Sequence, residues 1–399
     1  MTFVSRTFRS SPVSSLNNKM EVLESKKEDA VEVIREGLRE LTYMERKESR
    51  TKLLNRNRVA LGNVVSDSSF TSEFVVEKAR ALKKKELSVE DYGQLQNALL
   101  QNEENVNAFL KVDNIMFALV RDFSGNDPAL QLCAINCCCN IALGNVKACT
   151  SLTKSIASYL ITELGCLNRP LMEVCIWTIG NLVAGSNKAF EILHAHDCFK
   201  YIISLFRNCD NDILPSVAYT AMQYTHAGFQ QIPETEMLEL VKVTSMRNPT
   251  IGNPYFIWLI ALLSSSQVCN AYLYSTVPLL VDYLYKNTMK DITAVTEITA
   301  SIRVLANTVC EASGQMAKFL LENPKYTQSN VQTLLNKLLS CQYVHVRKET
   351  LWLIGNLYNH NSTSVKKVIQ DILPKLSSLK QAIVSTTQQN ILINTDAND

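Results

Sequence analysis

A five-residue phrase that occurs twice constrains this chain more than any other feature. Residues 177–181 read Trp-Thr-Ile-Gly-Asn, and residues 352–356 read Trp-Leu-Ile-Gly-Asn. Weaker copies carry Asn140, Gln223, Leu262 and Asn307 in the last position of the phrase. Starting from residue 140, successive copies are 41, 42, 39, 45 and 49 residues apart. Self-similarity at a period of roughly 40 to 50 residues predicts a helical solenoid. Because a solenoid offers a long surface and no single deep pocket, we expect this chain to bind partners and not to transform a substrate.

Composition agrees with a stack of helices. The 399 residues are 46% hydrophobic and include 12 glycines and 10 prolines, which are few for a turn-rich β fold. The net charge of +2 argues against broad electrostatic capture of nucleic acid. Twelve cysteines include the run 137–139 inside an apolar helix, where we expect most of them to be small buried hydrophobic residues. Free thiols and the lack of a secretory signal favour a reducing compartment, the cytoplasm and nucleus.

No segment predicts a membrane span. The strongest candidate, residues 255–263, has nine apolar residues before a polar Ser-Ser-Ser-Gln stretch. A spanning helix needs about 20. We therefore predict a core helix there and no membrane partner.

The chain divides into five predicted regions. Composition predicts a disordered N-terminus, a charged helix with a thin apolar stripe, a linker with a first helix, a repeat array with a C-terminal cap, and a frayed tail. Their bounds are residues 1–20, 21–61, 62–89, 90–389 and 390–399.

Within the array, the pattern predicts a short helix, a longer apolar helix and a third helix that ends near each Asn position. Residues 109–120 are predicted as one helix. Gly144 and Gly185 each lie four residues beyond an Asn, where a helix end favours positive φ. Pro215 and Pro254 are expected to mark helix starts.

The repeated Asn and Trp positions predict a peptide-binding groove. Third helices in such arrays lie side by side, about 8–10 Å apart. An extended peptide advances about 3.3 Å per residue, so each repeat is expected to cover roughly three residues. An Asn in this groove can donate to and accept from the peptide backbone, and a Trp one turn earlier can hold a Lys or Arg stem. An ordinary amphipathic helix would explain a single copy better, but repetition at the array period favours the groove for Asn and leaves both explanations open for Trp.

The same residues resemble the importin alpha family over roughly residues 90 to 362. Residues 173–181 look like its third repeat, residues 301–307 like its sixth, with Arg303 in place of Trp, and residues 347–356 like its seventh. A group of divergent relatives in this superfamily, transmembrane and coiled-coil domain-containing protein six, is similar in pattern. The resemblance implies a right-handed armadillo superhelix and a non-enzymatic adaptor that binds basic nuclear localisation signals for import. The implied groove residues are Trp177, Asn181, Asn307, Trp352, Asn356, Asn140, Asn136, Tyr219, Gln223 and Arg303.

The chain departs from the family at several of these positions. Asn136 stands at the Trp position of the second repeat, and Tyr219 and Gln223 replace Trp and Asn in the fourth. In the fifth repeat Trp258 remains, but Leu262 cannot hydrogen-bond. These losses keep open an alternative function, an armadillo scaffold that no longer binds cargo signals.

The N-terminal charged segment resembles a diluted importin-beta-binding helix over residues 44–59. The resemblance implies an importin-beta-like carrier as a partner. A solvated charged helix or a coiled-coil arm is the alternative. The basic residues implied in carrier binding are Arg46, Lys47, Arg50, Lys52, Arg56 and Arg58.

No catalytic or metal-binding pattern competes with this interpretation. Residues 194–198 read His-Ala-His-Asp-Cys, but they lie at the predicted junction of two helices. No phosphate loop, nucleophile elbow or zinc-protease motif occurs. We therefore predict that the protein is not an enzyme and needs no cofactor or metal.

Overall fold

Helices joined by short turns make up the part of the chain that the structure describes. This computed structural model describes residues 58–62, 67–247, 253–289, 292–322 and 325–386. Those residues contain no β-strand. The α-helices are α1 Ser72–Lys84, α2 Val89–Gln101, α3 Glu103–Leu110, α4 Ile115–Phe123, α5 Pro128–Ile141, α6 Val146–Glu163, α7 Arg169–Gly185, α8 Asn187–Ala195, α9 Cys198–Asn208, α10 Leu214–Gly228, α11 Glu234–Met246, α12 Pro254–Leu263, α13 Gln267–Leu273, α14 Val277–Thr288, α15 Val295–Thr308, α16 Gln315–Leu321, α17 Gln328–Leu339, α18 Val344–Tyr358 and α19 Thr363–Ile372.

One helix of every repeat belongs to a continuous row. The row runs α2, α5, α7, α10, α12, α15 and α18, and each member packs against the next. Successive members are connected either by two shorter helices or by a single helix, as with α6 and α11. These units confirm the predicted all-α armadillo-repeat solenoid.

Polar side chains begin these helices where the sequence places them. Asn145 and Asn168 accept hydrogen bonds from the backbone N–H groups of residues 148 and 171, which caps α6 and α7. Pro215 lies in the first turn of α10 and Pro254 begins α12, as predicted.

Three local predictions were wrong. Residues 109–120 belong to two helices, because the chain turns between α3 and α4 and Asn114 has a φ of 57°. Gly144 and Gly185 do not have positive φ. At Gly185 the reason for glycine is space, since a Cβ there would overlap the Sγ of Cys149.

The predicted charged helix does not extend to residue 61. Arg58 to Leu61 lie outside any helix. The rest of that prediction, and the positions of Arg46, Lys47, Arg50, Lys52 and Arg56, lie outside the described residues.

The core runs along the whole stack. Cys137, Cys138 and Cys139 are all fully buried, because α5 has α2, α4 and α7 packed around it. Within the described residues, no helix combines the length and the apolar character needed to cross a lipid bilayer. After α19 the chain makes a 3₁₀ turn at Leu373–Lys375 and is helical again over residues 379–386.

Candidate functional site

The row of third helices carries the predicted Asn positions, and two of them hold the backbone of another part of the chain. Residues 58–62, which we call the groove segment, lie against α2, α5 and α7. Asn181 of α7 accepts a hydrogen bond from the Val59 N–H at 2.9 Å and donates one to the Val59 carbonyl at 2.8 Å. The carboxamide therefore pairs with both backbone groups of one residue, as a neighbouring β-strand would.

Asn140 of α5 repeats the arrangement two residues further along. Its Oδ1 accepts from the Leu61 N–H at 3.0 Å, and its Nδ2 donates to the Leu61 carbonyl at 2.7 Å. Gln96 of α2 donates a second hydrogen bond to the same carbonyl at 2.9 Å. Two consecutive repeats thus bind alternate residues of one segment.

The direction and spacing of the groove segment follow from these contacts. Residue 59 meets α7 and residue 61 meets α5, so the segment runs opposite to the order of the repeats. Each repeat covers two residues and not the three that we predicted from helix-axis distances. In an extended chain the N–H and C=O of every second residue point to the same side, about 6.6 Å apart. Asn181 and Asn140 are therefore spaced to bond every second residue of an extended chain.

Both ends of the groove segment have their own anchor. The Nη1 of Arg58 donates to the carbonyls of Ala142 and Gly144 at 3.0 and 3.4 Å, just beyond the C-terminus of α5. A helix C-terminus carries unpaired carbonyls and favours a cation. Gly62 has a φ of 124°, and a Cβ on it would overlap the Oδ1 of Asn97.

We call Asn140, Asn181, Asn307 and Asn356 the Asn ladder, and the preceding repeat orients each of their carboxamides. The Nδ2 atoms of Asn140, Asn181 and Asn356 donate to the carbonyls of residues 96, 139 and 306, at 2.9, 3.3 and 2.7 Å. Each of those carbonyls belongs to the residue just before the equivalent position of the previous repeat. One amide proton is thereby fixed between helices, which holds the plane of the carboxamide.

In the sixth repeat a serine takes over this role. The Nδ2 of Asn307 donates to the Oγ of Ser264 at 2.9 Å, and that hydroxyl donates to the Ala261 carbonyl at 2.8 Å. Ser264 therefore relays the bond from Asn307 to the carbonyl of Ala261, the residue just before Leu262.

Tyr219 contributes to the groove differently from what its position predicts. Its side chain is fully buried, and its hydroxyl donates to the Oδ1 of Asn181 at 2.6 Å. Gly180 leaves room for the ring, because a Cβ there would lie 2.5 Å from Tyr219 Cε1. Burial raises the pKa of the Tyr219 hydroxyl, which keeps it a donor. Tyr219 thus supports Asn181 and does not present an open aromatic surface.

The other predicted groove residues differ in exposure. Trp177 and Asn136 are half-buried, whereas Gln223, Trp258 and Leu262 are buried. Trp352 is 40% exposed, and Asn307 and Asn356 near it along the row are half-buried.

Arg303 is engaged with a neighbouring helix. Its Nε and Nη2 both pair with the two carboxylate oxygens of Glu349 on α18. Arg303 is 8% exposed and Glu349 is 7% exposed, so the pair is buried between α15 and α18. The structure thus places this guanidinium in an inter-repeat ion pair.

Two thiols lie beneath the groove segment. Cys139 Sγ is 3.7 Å from the Val59 carbonyl, and burial raises the pKa of this thiol to about 12. Burial raises the pKa of the Cys149 thiol to about 11, although Arg58 beside it acts in the opposite direction. Both remain neutral near pH 7, so the floor of the groove carries no thiolate.

Residues 194–198 pack as ordinary helix-junction residues. The His194 ring stacks on Phe190 with centroids 5.3 Å apart, and Asp197 pairs with Lys200 at 2.7 Å. In the described part of the chain, no three His, Cys, Asp or Glu side chains are grouped to hold a metal ion.

Sequence reasoning missed Gln96, Ser264 and the groove segment itself. Gln96 precedes Asn97, so the amide pair marks the first repeat even without a Trp. Ser264 falls two residues after the expected Asn position, a place that the repeat pattern does not single out. Residues 58–62 were hidden by the charged stretch before them.

The chain is similar to several solved structures at low sequence identity. No protein-family model matches the sequence. The chain is similar to an engineered protein at 14% identity, over 80% of this chain and 84% of that one, with a TM-score of 0.52. It is also similar to a designed armadillo repeat protein at 15% identity, over 71% and 98% of the two chains, with a TM-score of 0.40. Computationally designed armadillo repeat proteins for modular peptide recognition match at 14% identity over 71% and 98%, with a TM-score of 0.39.

Proposed function

We propose that this protein is a non-enzymatic armadillo-repeat adaptor that binds extended segments of other proteins in the groove formed by its third helices. The observation that carries the proposal is the pairing of Asn140 and Asn181 with both backbone groups of Leu61 and Val59. Backbone pairing of this kind accepts any extended chain, and pockets for alternate side chains then supply specificity.

The C-terminal half of the row supports binding of basic segments. Asn307 and Asn356 repeat the ladder there, and Trp352 one turn before Asn356 exposes 40% of its surface. An indole face can hold the stem and the charge of a Lys or Arg. By resemblance to importin alpha, we propose that such segments are nuclear localisation signals and that the protein moves between cytoplasm and nucleus.

Peptide titration tests the groove. A fluorescent lysine-rich signal peptide is added to the full chain, to Asn356→Ala and to Asn208→Ala, a control whose side chain is exposed on α9. Loss of two backbone hydrogen bonds is expected to weaken binding about tenfold or more in Asn356→Ala, at about 1 kcal/mol for each bond. The control is expected to bind like the unchanged protein. Equal affinities for all three proteins would overturn basic-segment binding at this place.

A carrier resembling importin beta is the second proposed partner. The candidate contacts are the basic residues that precede the groove segment. Arg58, which was also predicted to contact the carrier, instead donates to the carbonyls of Ala142 and Gly144. The full chain and a variant with Arg46, Lys47, Arg50, Lys52 and Arg56 changed to Gln are compared in pull-downs of the purified carrier. Recovery is expected only with the unchanged chain, because an acidic receptor selects positive charge. Equal recovery would remove the carrier from the proposal.

A scaffold without a transport role is the alternative, and the fourth and fifth repeats favour it. Gln223, Trp258 and Leu262 are buried there, so these repeats present less of the Trp–Asn pattern to a basic segment. Absence of both lysine-rich peptide binding and carrier recovery would select this function.

A further inference from the structure

We propose that the groove formed by α2, α5 and α7 selects partner segments with the pattern Arg–aliphatic–any residue–aliphatic–Gly, and not lysine-rich ones. The inference rests on the proposed function and names the ligand class for its first repeats. The groove segment, Arg58 to Gly62, shows how the surface reads each of these five positions.

Two backbone carbonyls recognise the residue at the first position. The Nη1 of Arg58 donates to the carbonyls of Ala142 and Gly144 at the end of α5. The guanidinium also lies against Gly185, where a Cβ would come within 2.9 Å of Nη1. A guanidinium carries several donors in one plane, so it can serve two carbonyls from one place. An uncharged side chain would leave both carbonyls without this donor.

Backbone hydrogen bonds and side-chain burial together determine which residues fit the second and fourth positions. Val59 and Leu61 place their N–H and C=O groups on Asn181 and Asn140, and both residues are half-buried. A proline at either position would remove the N–H that the Asn Oδ1 accepts. Burial of the aliphatic surface favours a branched apolar side chain over a lysine. Ala60 between them is exposed, so the middle position is unrestricted.

The fifth position requires glycine. Gly62 has a φ of 124°, which side-chain-bearing residues adopt only with strain, and a Cβ would overlap Asn97 Oδ1. The positive φ turns the backbone at the last position of the groove segment. Lysine-rich segments have no residue that suits this conformation.

The chemistry of the contacting atoms also disfavours a second cation. The groove atoms that bond with residues 58–62 are amides, carbonyls, the thiols of Cys139 and Cys149 and the hydroxyl of Tyr219. Burial raises the pKa of both thiols and of the hydroxyl, so all three are neutral near pH 7. The single cationic position of the pattern is therefore the one that Arg58 occupies.

The experiment uses the full chain with its own groove segment weakened. Arg58→Ala combined with Gly62→Val removes both anchors, and Leu61→Pro alone is a second release variant that removes the N–H bound by Asn140. Circular dichroism checks that each variant keeps its helices. A labelled peptide that copies residues 56–64 is titrated by fluorescence anisotropy. We expect it to bind either release variant at least tenfold more tightly than the unchanged chain, in which the groove segment competes.

Changes in the peptide then test each position. Arg58→Ala and Gly62→Val in the peptide are each expected to weaken binding about tenfold, whereas Ala60→Glu is expected to stay within twofold. A peptide of alternating lysine and alanine of the same length is the competitor. Protection of α5 and α7 amides in hydrogen exchange locates the bound peptide.

Three results would overturn the inference. These are no binding of the 56–64 peptide to a folded release variant, equal affinity of the Gly62→Val peptide, and displacement by the lysine peptide at equal concentration. Failure of the proposed function would be seen in other experiments. These are the titration of the lysine-rich peptide into Asn356→Ala and the carrier pull-down with the unchanged chain. A lysine-rich peptide that binds only at Asn356 would leave both statements standing.

Discussion

Tyr219 donates a hydrogen bond to Asn181. We predict that Tyr219→Phe lowers stability when residue 181 is Asn and raises it when residue 181 is Ala. In the unchanged protein, Tyr219→Phe removes a buried bond of 2.6 Å, while Asn181 Oδ1 still accepts from the Val59 N–H. No acceptor is left unpaired, so we expect a loss of about 1 kcal/mol.

In an Asn181→Ala background the same change has the opposite effect. The Tyr219 hydroxyl is then buried without the acceptor that it uses, which costs about 1–3 kcal/mol. Removing the hydroxyl relieves that cost, so Tyr219→Phe is expected to stabilise by about 1 kcal/mol. The coupling free energy of the double-mutant cycle is therefore about 2 kcal/mol.

Native-state hydrogen exchange is the suitable assay. Each unit of a solenoid contacts only its neighbours, and exchange of the α7 and α10 amides reports their local opening free energy. Tyr201→Phe, at a residue 49% exposed on α9, is the matched control. It is expected to change stability by less than about 0.5 kcal/mol in either background. If Tyr219→Phe costs the same with and without Asn181, the hydroxyl does not orient that carboxamide and our reasoning fails.

Further predictions concern packing, charge and thiol reactivity. Arg303→Met alone leaves the buried Glu349 carboxylate unpaired, so we expect it to lower the free energy of unfolding by about 3–5 kcal/mol. Adding Glu349→Leu is expected to restore most of that stability. Urea denaturation of the single and the double variant measures the two values. Gly180→Ala is expected to destabilise by about 1–3 kcal/mol, because its Cβ meets Tyr219 at 2.5 Å. Gly93→Ala in α2, where nothing lies within 4 Å of the new Cβ, is expected to stabilise by about 0.5–1 kcal/mol, and thermal denaturation compares the two. Burial raises the pKa of Cys149 to about 11, so iodoacetamide is expected to leave it unmodified at pH 7.5 and to modify it after unfolding in urea; mass spectrometry of the native protein that finds it alkylated would contradict this.

The repeat period was enough to predict the fold and to place Asn140, Asn181, Asn307 and Asn356 on third helices. This succeeded because a solenoid repeats its packing, so equivalent residues keep equivalent places. The partner of each residue was harder to predict. Tyr219 was predicted to replace a groove Trp. Because Gly180 has no side chain, the Tyr219 ring is buried instead and its hydroxyl donates to Asn181 Oδ1.

Contacts between distant parts of the chain escaped the sequence altogether. Arg303 was assigned to peptide binding, and its pairing with Glu349 joins residues 46 positions apart that no local pattern connects. The groove segment was likewise read as the end of a charged helix, because local charge density hides an extended stretch of five residues. Gly62 was the available signal, since a glycine after an aliphatic run marks a place where the backbone changes direction.

The amides of Asn140, Asn181 and Asn356 are tied to carbonyls of the preceding unit, and that of Asn307 to the hydroxyl of Ser264, so ligand binding is coupled to the spacing between units. A wider spacing between units would place the amides further apart than the two-residue repeat of an extended polypeptide, and a narrower spacing would place them closer than that repeat. We therefore expect a bound segment to fix the spacing of the units that hold it, and any change in that spacing to change the affinity for the segment.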